Sequence, residues 1–182
     1  MKIWELRNGR INETAPLVYA NDEDMQSGVF DARGQSLEWK HRPRLDVFRE
    51  PGRKQPKPRA DISTFRPGAL VLNGKARAVL GDFLARFGQL LPFDCDGEVE
   101  YFYNVTRLID CIDQEHSIKR GSGSIAKEAF FEHAVPQEPV VFKDPLMART
   151  RIYVNDAARD LLQKLIDGAA LTGAEFVSPG TP

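Results

Sequence analysis

Two stretches of the chain carry the periodicity of an amphipathic helix. Ala76, Val79, Leu80, Phe83, Leu84 and Phe87 recur at i, i+3, i+4, i+7, i+8 and i+11 and form one apolar stripe. Asn73 precedes the stripe as an N-cap, with a side-chain oxygen that can accept from a first-turn amide. Gly88 follows it as a left-handed stop. Farther on, Ala158, Leu161, Leu162, Leu165 and Ile166 repeat the stripe between Asn155 and Gly168. The pattern predicts helices over 74–87 and 156–167, with Leu80, Phe83, Leu84, Leu161, Leu162 and Leu165 in the core. Short apolar runs at 69–72, 89–93, 151–154 and 174–177 flank the helices and read as strands. A shift of 82 residues superposes Asn73 on Asn155, Ala76 on Ala158 and Leu80 on Leu162. At this level a strand–helix–strand duplication and the likeness of any two capped amphipathic helices are both open.

Elsewhere the period is two. Over 98–105, Val99, Tyr101, Tyr103 and Val105 share one face, and Glu98, Glu100, Phe102 and Asn104 the other; the composition is that of a strand as well. Residues 2–6, 17–20, 45–48 and 139–142 are shorter strand candidates. Asn21-Asp22-Glu23-Asp24 reads as an acidic turn. Residues 119–124 read as a flexible turn, leading into a strand or short helix that ends near Phe131. Residues 50–59 hold three prolines, a glycine and the cations Arg53, Lys54, Lys57 and Arg59, which excludes a central strand or helix and leaves an exposed loop or linker. Many short strands with two principal helices give the α+β class, with antiparallel sheets. The chain divides into an N-terminal β-rich layer with its basic proline-rich loop over 1–60 and an α+β region over 61–182, the two forming one compact unit. A chain of 182 residues buries enough surface to do without a disulfide or metal staple.

Charge refines this picture. The 25 basic and 26 acidic residues nearly cancel, which argues against a strongly basic nucleic-acid binder. The balance is uneven: residues 1–60 hold 12 Lys/Arg and 9 Asp/Glu, and the remainder 13 and 17. Residues 40–59 alone carry eight Lys/Arg and His41, against Asp46 and Glu50, whereas residues 94–115 carry seven Asp/Glu against one Arg. Read as one extended strand, Asp94, Asp96, Glu98 and Glu100 would fall on the same side. Such a ridge repels itself unless a cation answers it, and it is the candidate partner-binding surface. The basic loop with Arg53, Lys54, Lys57 and Arg59 is the competing one.

No catalytic constellation emerges. The run 120–127 is Gly-rich but lacks the Gly-Lys-Ser/Thr ending of a phosphate loop, and reads as a hairpin turn. The three histidines, His41, His116 and His133, are far apart. Asp110, Asp113, Glu115 and His116 match no zinc spacing and read as a solvated charged turn. Cys95 lies between Asp94 and Asp96, which raise a thiol pKa and make it a poor nucleophile. With only Cys111 beside it, it reads as a reduced thiol. The Asn104-Val105-Thr106 sequon has no meaning without secretion. The first residues lack the apolar core of a signal peptide, and no apolar run approaches the ~20 residues of a membrane span, so the expected location is the cytoplasm. No pattern among these residues points to a cofactor or a metal, and by themselves they leave the activity open.

Several segments carry a family likeness: Pro67-Gly68, the helix before Gly88, Leu90-Leu91-Pro92-Phe93, Cys95-Asp96-Gly97, the run from Tyr101 to Asp110, Val141-Phe142, and the closing Leu171-Thr172-Gly173-Ala174-Glu175-Phe176. Over about residues 67–177 the chain resembles a bacterial family of polymorphic-toxin immunity proteins, formerly a domain of unknown function. The resemblance implies a small cytoplasmic protein that binds and neutralises a cognate toxin domain, with no enzyme activity and no catalytic residues to carry over; the charge balance and the lack of a membrane-length apolar run leave no direct nucleic-acid or membrane partner expected. A nuclease is the toxin class that an acidic inhibitor surface would fit. An enzyme or small-ligand protein with a site assembled from dispersed residues is the alternative, and a nucleic-acid-binding accessory protein using 40–59 a third reading.

Overall fold

The structure, a computed structural model, describes residues 1–9, 11–52 and 54–180. Its strands are β1 (Ile3–Asn8), β2 (Leu17–Tyr19), β3 (Arg44–Val47), β4 (Ile62–Ser63), β5 (Leu70–Leu72), β6 (Gly88–Cys95), β7 (Glu98–Val105), β8 (Ile112–Lys119), β9 (Ile125–Phe130), β10 (Val141–Phe142), β11 (Tyr153–Asn155) and β12 (Ala174–Val177). Its helices are α1 (Asp22–Ser27), α2 (Gly74–Leu84) and α3 (Asp156–Gly168). The fold is α+β. One sheet has the order β10-β11-β1-β12, a second β2-β3-β6-β7-β5-β4, and β8-β9 is a separate hairpin. Among the described residues all pairings between named strands are antiparallel except β3 with β6.

The two strand–helix–strand units share one construction. Strands β5 and β6 both run antiparallel to β7, which lies between them. In the same way β11 and β12 flank β1. Asn73 accepts from the Ala76 amide at 2.9 Å, and Asn155 from that of Ala158 at 2.9 Å. Each helix then buries one i, i+4, i+8 row: Ala76, Leu80 and Leu84 on α2, Ala158, Leu162 and Ile166 on α3. These rows join Leu6, Val141 and Val154 of the first sheet, Ile152 just before β11, and Ile62, Leu70, Leu72, Tyr103 and Val105 of the second sheet in one core. The Tyr103 hydroxyl donates to the Leu84 carbonyl at 3.0 Å, which ties β7 to the end of α2.

Several expectations need correction. Leu161 is 37% exposed, and Phe83 and Leu165 only flank the core. A stripe that includes the i+3 positions is wider than the row that meets two sheets and a second helix, so its margin stays wet. Helix α2 ends three residues early, its last turn tightened by Phe87 N–H donating to Leu84 O. Gly88 does not stop it in a left-handed conformation. It opens β6, where a Cβ would lie 2.2 Å from the Asn104 carbonyl oxygen, so the close approach of β7 is what requires glycine there. Gly168 is the last residue of α3, and the left-handed residue is Ala170. Residues 21–24 are not a turn but the capped start of α1, with Asn21 accepting from Asp24 N–H. Residues 112–119 form β8 rather than a charged turn; Asp113 Oδ1 accepts from the Glu115 and His116 amides at an irregularity in that strand. The run 120–123 is the hairpin turn, closed by Arg120 N–H to Ser124 O.

The N-terminal third is woven into both sheets. Strand β1 sits inside the first, and β2-β3 extend the second through the parallel β3–β6 pairing. A second core packs Phe30, Phe65, Leu17 and Leu45 on the far side of the second sheet against Phe93 and Phe102. The β8–β9 hairpin closes over the outer side of the first sheet, with Ile3, Phe142 and Tyr153 beneath it. There Arg151 bonds Glu5 and, at 2.8 Å, Glu128.

The packing makes a graded prediction. Leu80→Ala and Leu162→Ala should each lower stability in urea denaturation by about 2–5 kcal/mol. Leu161→Ala, at the wet margin, should stay within about 0.5 kcal/mol of the parent.

Candidate functional site

The four carboxylates expected on one ridge are not on one strand. Asp96 and Gly97 have φ of 47° and 87° and form a two-residue turn between β6 and β7, with Cys95 opposite Glu98. Asp-Gly is the pair that a tight hairpin of this hand favours, because both of its central residues need positive φ. Asp94, opposite Val99, therefore lies on one side of the sheet, and Glu98 and Glu100 on the other with Cys95 and Phe93. Asp96 is at the tip.

The basic stretch answers these acids. Arg42 pairs with Asp94 at 3.4 Å, Arg49 with Asp96 at 3.0 Å and Arg59 with Glu100 at 2.5 Å. The first two pairs are half or more exposed on the arginine side, but Arg59 and Glu100 keep 20% and 10% of their side-chain surface. Arg59 also donates to Ser63 Oγ at 3.2 Å and Ala15 O at 3.3 Å. Of the four acids, Glu98 alone has no ion pair among the described residues. The two segments read as rival surfaces are thus largely each other's partner, and the nucleic-acid reading of 40–59 loses three of its cations to the hairpin. Arg53, part of the basic loop, lies outside the described residues. Burial, with Glu100 nearby, pushes the Cys95 thiol up to about 12, and burial with Asp144 nearby does the same for Cys111. Both thiols stay protonated at neutral pH.

What the sheet leaves uncovered is a different surface. Helix α2 packs on β5, β6 and β7. Toward the β2 edge the same side of the sheet presents Val18, Arg44, Asp46, Asp94 and Val99, which the strand registers place together. Phe48, just past β3, continues the alternation. Val18, Phe48 and Val99 are 38%, 43% and 38% exposed. From Val18 a recess of about 410 Å³ runs round the β2 edge toward the other side of the sheet, where Tyr19, Met25 and Phe65 line it.

A second feature is a cleft of about 280 Å³ walled by Phe30, Asp31, Ala32, Arg66, Pro67 and Arg149. No sequence motif marks it; its residues come from three distant segments. Arg33 holds Asp31 through Nε at 2.6 Å and keeps its carboxyl below the usual range, and Arg149 lies 3.9 Å from it. Arg66 donates to the Tyr19 hydroxyl at 2.7 Å and lies over the Tyr19 and Phe65 rings. Gly68, at φ 71°, lets the third wall approach: a Cβ there would be 2.8 Å from the Arg149 carbonyl carbon. Behind the walls Lys143 is fully buried and donates to Ala32 O at 2.9 Å and Ala148 O at 2.7 Å. Burial pulls its pKa down to about 8, against a smaller upward pull from Asp31.

No group of three or more His, Cys, Asp or Glu side chains among the described residues is placed to hold a metal ion. No helix among the described residues is long and apolar enough to cross a membrane. Comparison with protein-family models and with curated protein sequences finds no match.

Two predictions follow from these charges. Glu100→Ala should cost about 3–5 kcal/mol in urea denaturation by stranding the enclosed Arg59, whereas Asp94→Ala should cost less than about 1 kcal/mol. For Lys143, the folded protein releases its proton near pH 8 and the unfolded chain near 10.5. Between those values the unfolded state holds more protons, so raising the pH favours folding. The stability of the parent relative to Lys143→Met should rise across that window by on the order of 3 kcal/mol, read from denaturation midpoints at a series of pH values. A flat difference would place the ammonium in a wetter setting.

Proposed function

We propose that the chain is a non-enzymatic immunity protein that binds and neutralises a cognate bacterial toxin domain in the cytoplasm. The observation that carries this reading is the uncovered sheet face: three exposed apolar side chains, Val18, Phe48 and Val99, amid Arg44, Asp46 and the Arg42–Asp94 pair. An apolar centre with a charged rim is the anatomy of a protein-binding patch. The adjoining recess offers a pocket for an anchoring side chain, the kind of contact in which binding energy concentrates. The resemblance over residues 67–177 supplies the class of partner.

Within this reading the acidic residues change roles. Asp94 belongs to the rim of the patch. Glu98 stands unpaired at the start of β7, on the other side of the sheet. Asp96 and Glu100 are engaged by Arg49 and Arg59 and hold the hairpin in place. The exposed surface is then mixed in charge rather than strongly acidic, so the nuclease class loses its main electrostatic support and the proposal rests on shape and apolar contact.

The test is capture of the toxin domain encoded by a neighbouring gene. The parent should co-purify with that domain and protect cells that express it. Phe48→Glu with Val99→Lys, two exposed positions, should keep the thermal midpoint and weaken binding by about 30-fold or more. Lys54→Glu with Lys57→Glu should leave binding unchanged. If the parent neither captures the domain nor protects cells, the proposal fails. If the basic-loop variant alone loses binding, the face has been misplaced.

A further inference from the structure

The cleft beside Asp31 has a composition that the toxin-binding reading does not use. We infer that it is a binding site for a small anion bearing a phosphate or carboxylate group. The inference is independent of the toxin partner.

The first ground is charge. Arg66 and Arg149 line the cleft, Arg33 bonds its Asp31, and the buried Lys143 bonds the carbonyls of Ala32 and Ala148 next to it; against these four cations the cleft sets one carboxylate. A cavity with that excess lowers the energy of an anion placed in it, all the more because its walls exclude part of the solvent. Lys143 cannot touch a ligand, being fully buried, but its charge acts through protein rather than water.

The second ground is the direction of the polar groups. A cleft walled by backbone would ordinarily present carbonyl oxygens, which repel an anion. Here the carbonyls of Ala32 and Ala148, one from the Asp31 wall and one next to Arg149, are both turned onto the Lys143 ammonium. The lysine thus removes two acceptors from the vicinity of the cleft and clamps two of its walls together.

The third ground is preorganisation. Arg66 is held by the Tyr19 hydroxyl and by two aromatic rings, so it loses little freedom on engaging a ligand. Arg149 has only the 3.9 Å contact to Asp31 among the described residues, which leaves most of its guanidinium donors for a bidentate contact. Asp31 opposes an anion, but Arg33 bonds it directly. At about 280 Å³ the cleft has room for a phosphate or carboxylate head with part of the group that bears it.

The experiment titrates the full chain with inorganic phosphate and, separately, with acetate, at low and matched ionic strength, followed by calorimetry and by amide chemical shifts. At least one of the two anions should bind saturably, with a dissociation constant of about 1 mM or below, and shift the amides of 30–33, 66–68 and 148–150. Tighter phosphate binding assigns a phosphate-bearing ligand, and tighter acetate binding a carboxylate. Arg66→Gln with Arg149→Gln, both exposed, should keep the thermal midpoint and weaken binding by about tenfold or more. Arg42→Gln with Arg49→Gln, elsewhere on the surface, should bind as the parent does. The inference is overturned if neither anion saturates the parent up to about 50 mM, or if the control pair loses as much affinity as the cleft pair.

Discussion

Lys143 and Asp144 are consecutive, oppositely charged and both without exposed surface. They do not neutralise each other; each is satisfied by backbone. The ammonium takes the carbonyls of Ala32 and Ala148, and the carboxylate takes the amides of Cys111 and Ile112 on one oxygen and that of Leu146 on the other. A buried charge is tolerable only if its hydrogen-bonding capacity is met, so this dipeptide dictates where the chain goes around it. It fixes the 30–32 segment that carries Phe30 into the second core, the entry into the β8–β9 hairpin, and the turn that leads to β11. Three connections that could otherwise drift are held to one point just beyond β10. The cleft exists because two of those connections meet there.

The charge segregation along the sequence has a structural meaning of its own. The positive N-terminal third and the negative remainder meet at the β6–β7 hairpin, where Arg42 and Arg49, on either side of β3, find Asp94 and Asp96, and Arg59 finds Glu100 on β7. Exposed pairs of this kind contribute little stability. Their joint effect is on register: β3 joins β6 in parallel through only two paired positions, and an ion pair just beyond each end of β3, Arg42–Asp94 and Arg49–Asp96, discourages slippage. The enclosed Arg59–Glu100 pair fastens the end of the proline-rich loop to the same hairpin.

Features set by local chemistry were legible in the sequence. The two asparagine caps and the i, i+4, i+8 rows specify α2 and α3 within a few residues, because a helix is written in its own segment. The alternation over 98–105 survives intact. The turn at Asp96-Gly97 was equally local, but the run of acids around it reads as a continuous strand until the dihedral needs of Asp-Gly are considered. The cleft was not legible by any such means. Asp31, Arg66, Lys143 and Arg149 come from three segments far apart in the chain, and Lys143 follows an apolar strand as an ordinary surface lysine would. Its burial is decided by which carbonyls the fold brings near, and that is a property of tertiary structure alone.

The position of β1 bears on how the protein is made. The first strand lies between β11 and β12, so both of its neighbours are synthesised long after it. The Trp4 indole bonds Asp156 across a separation of 152 residues. At translation rates of about 5–20 residues per second, residues 3–8 emerge roughly 8–30 s before the strands that pair with them. Over that interval Ile3 and Leu6, which end up buried, have no sheet to join. The nascent chain must keep this apolar segment from pairing elsewhere, and the Lys2, Glu5 and Arg7 charges interspersed along it serve that end by discouraging edge-to-edge association until the C-terminal half arrives.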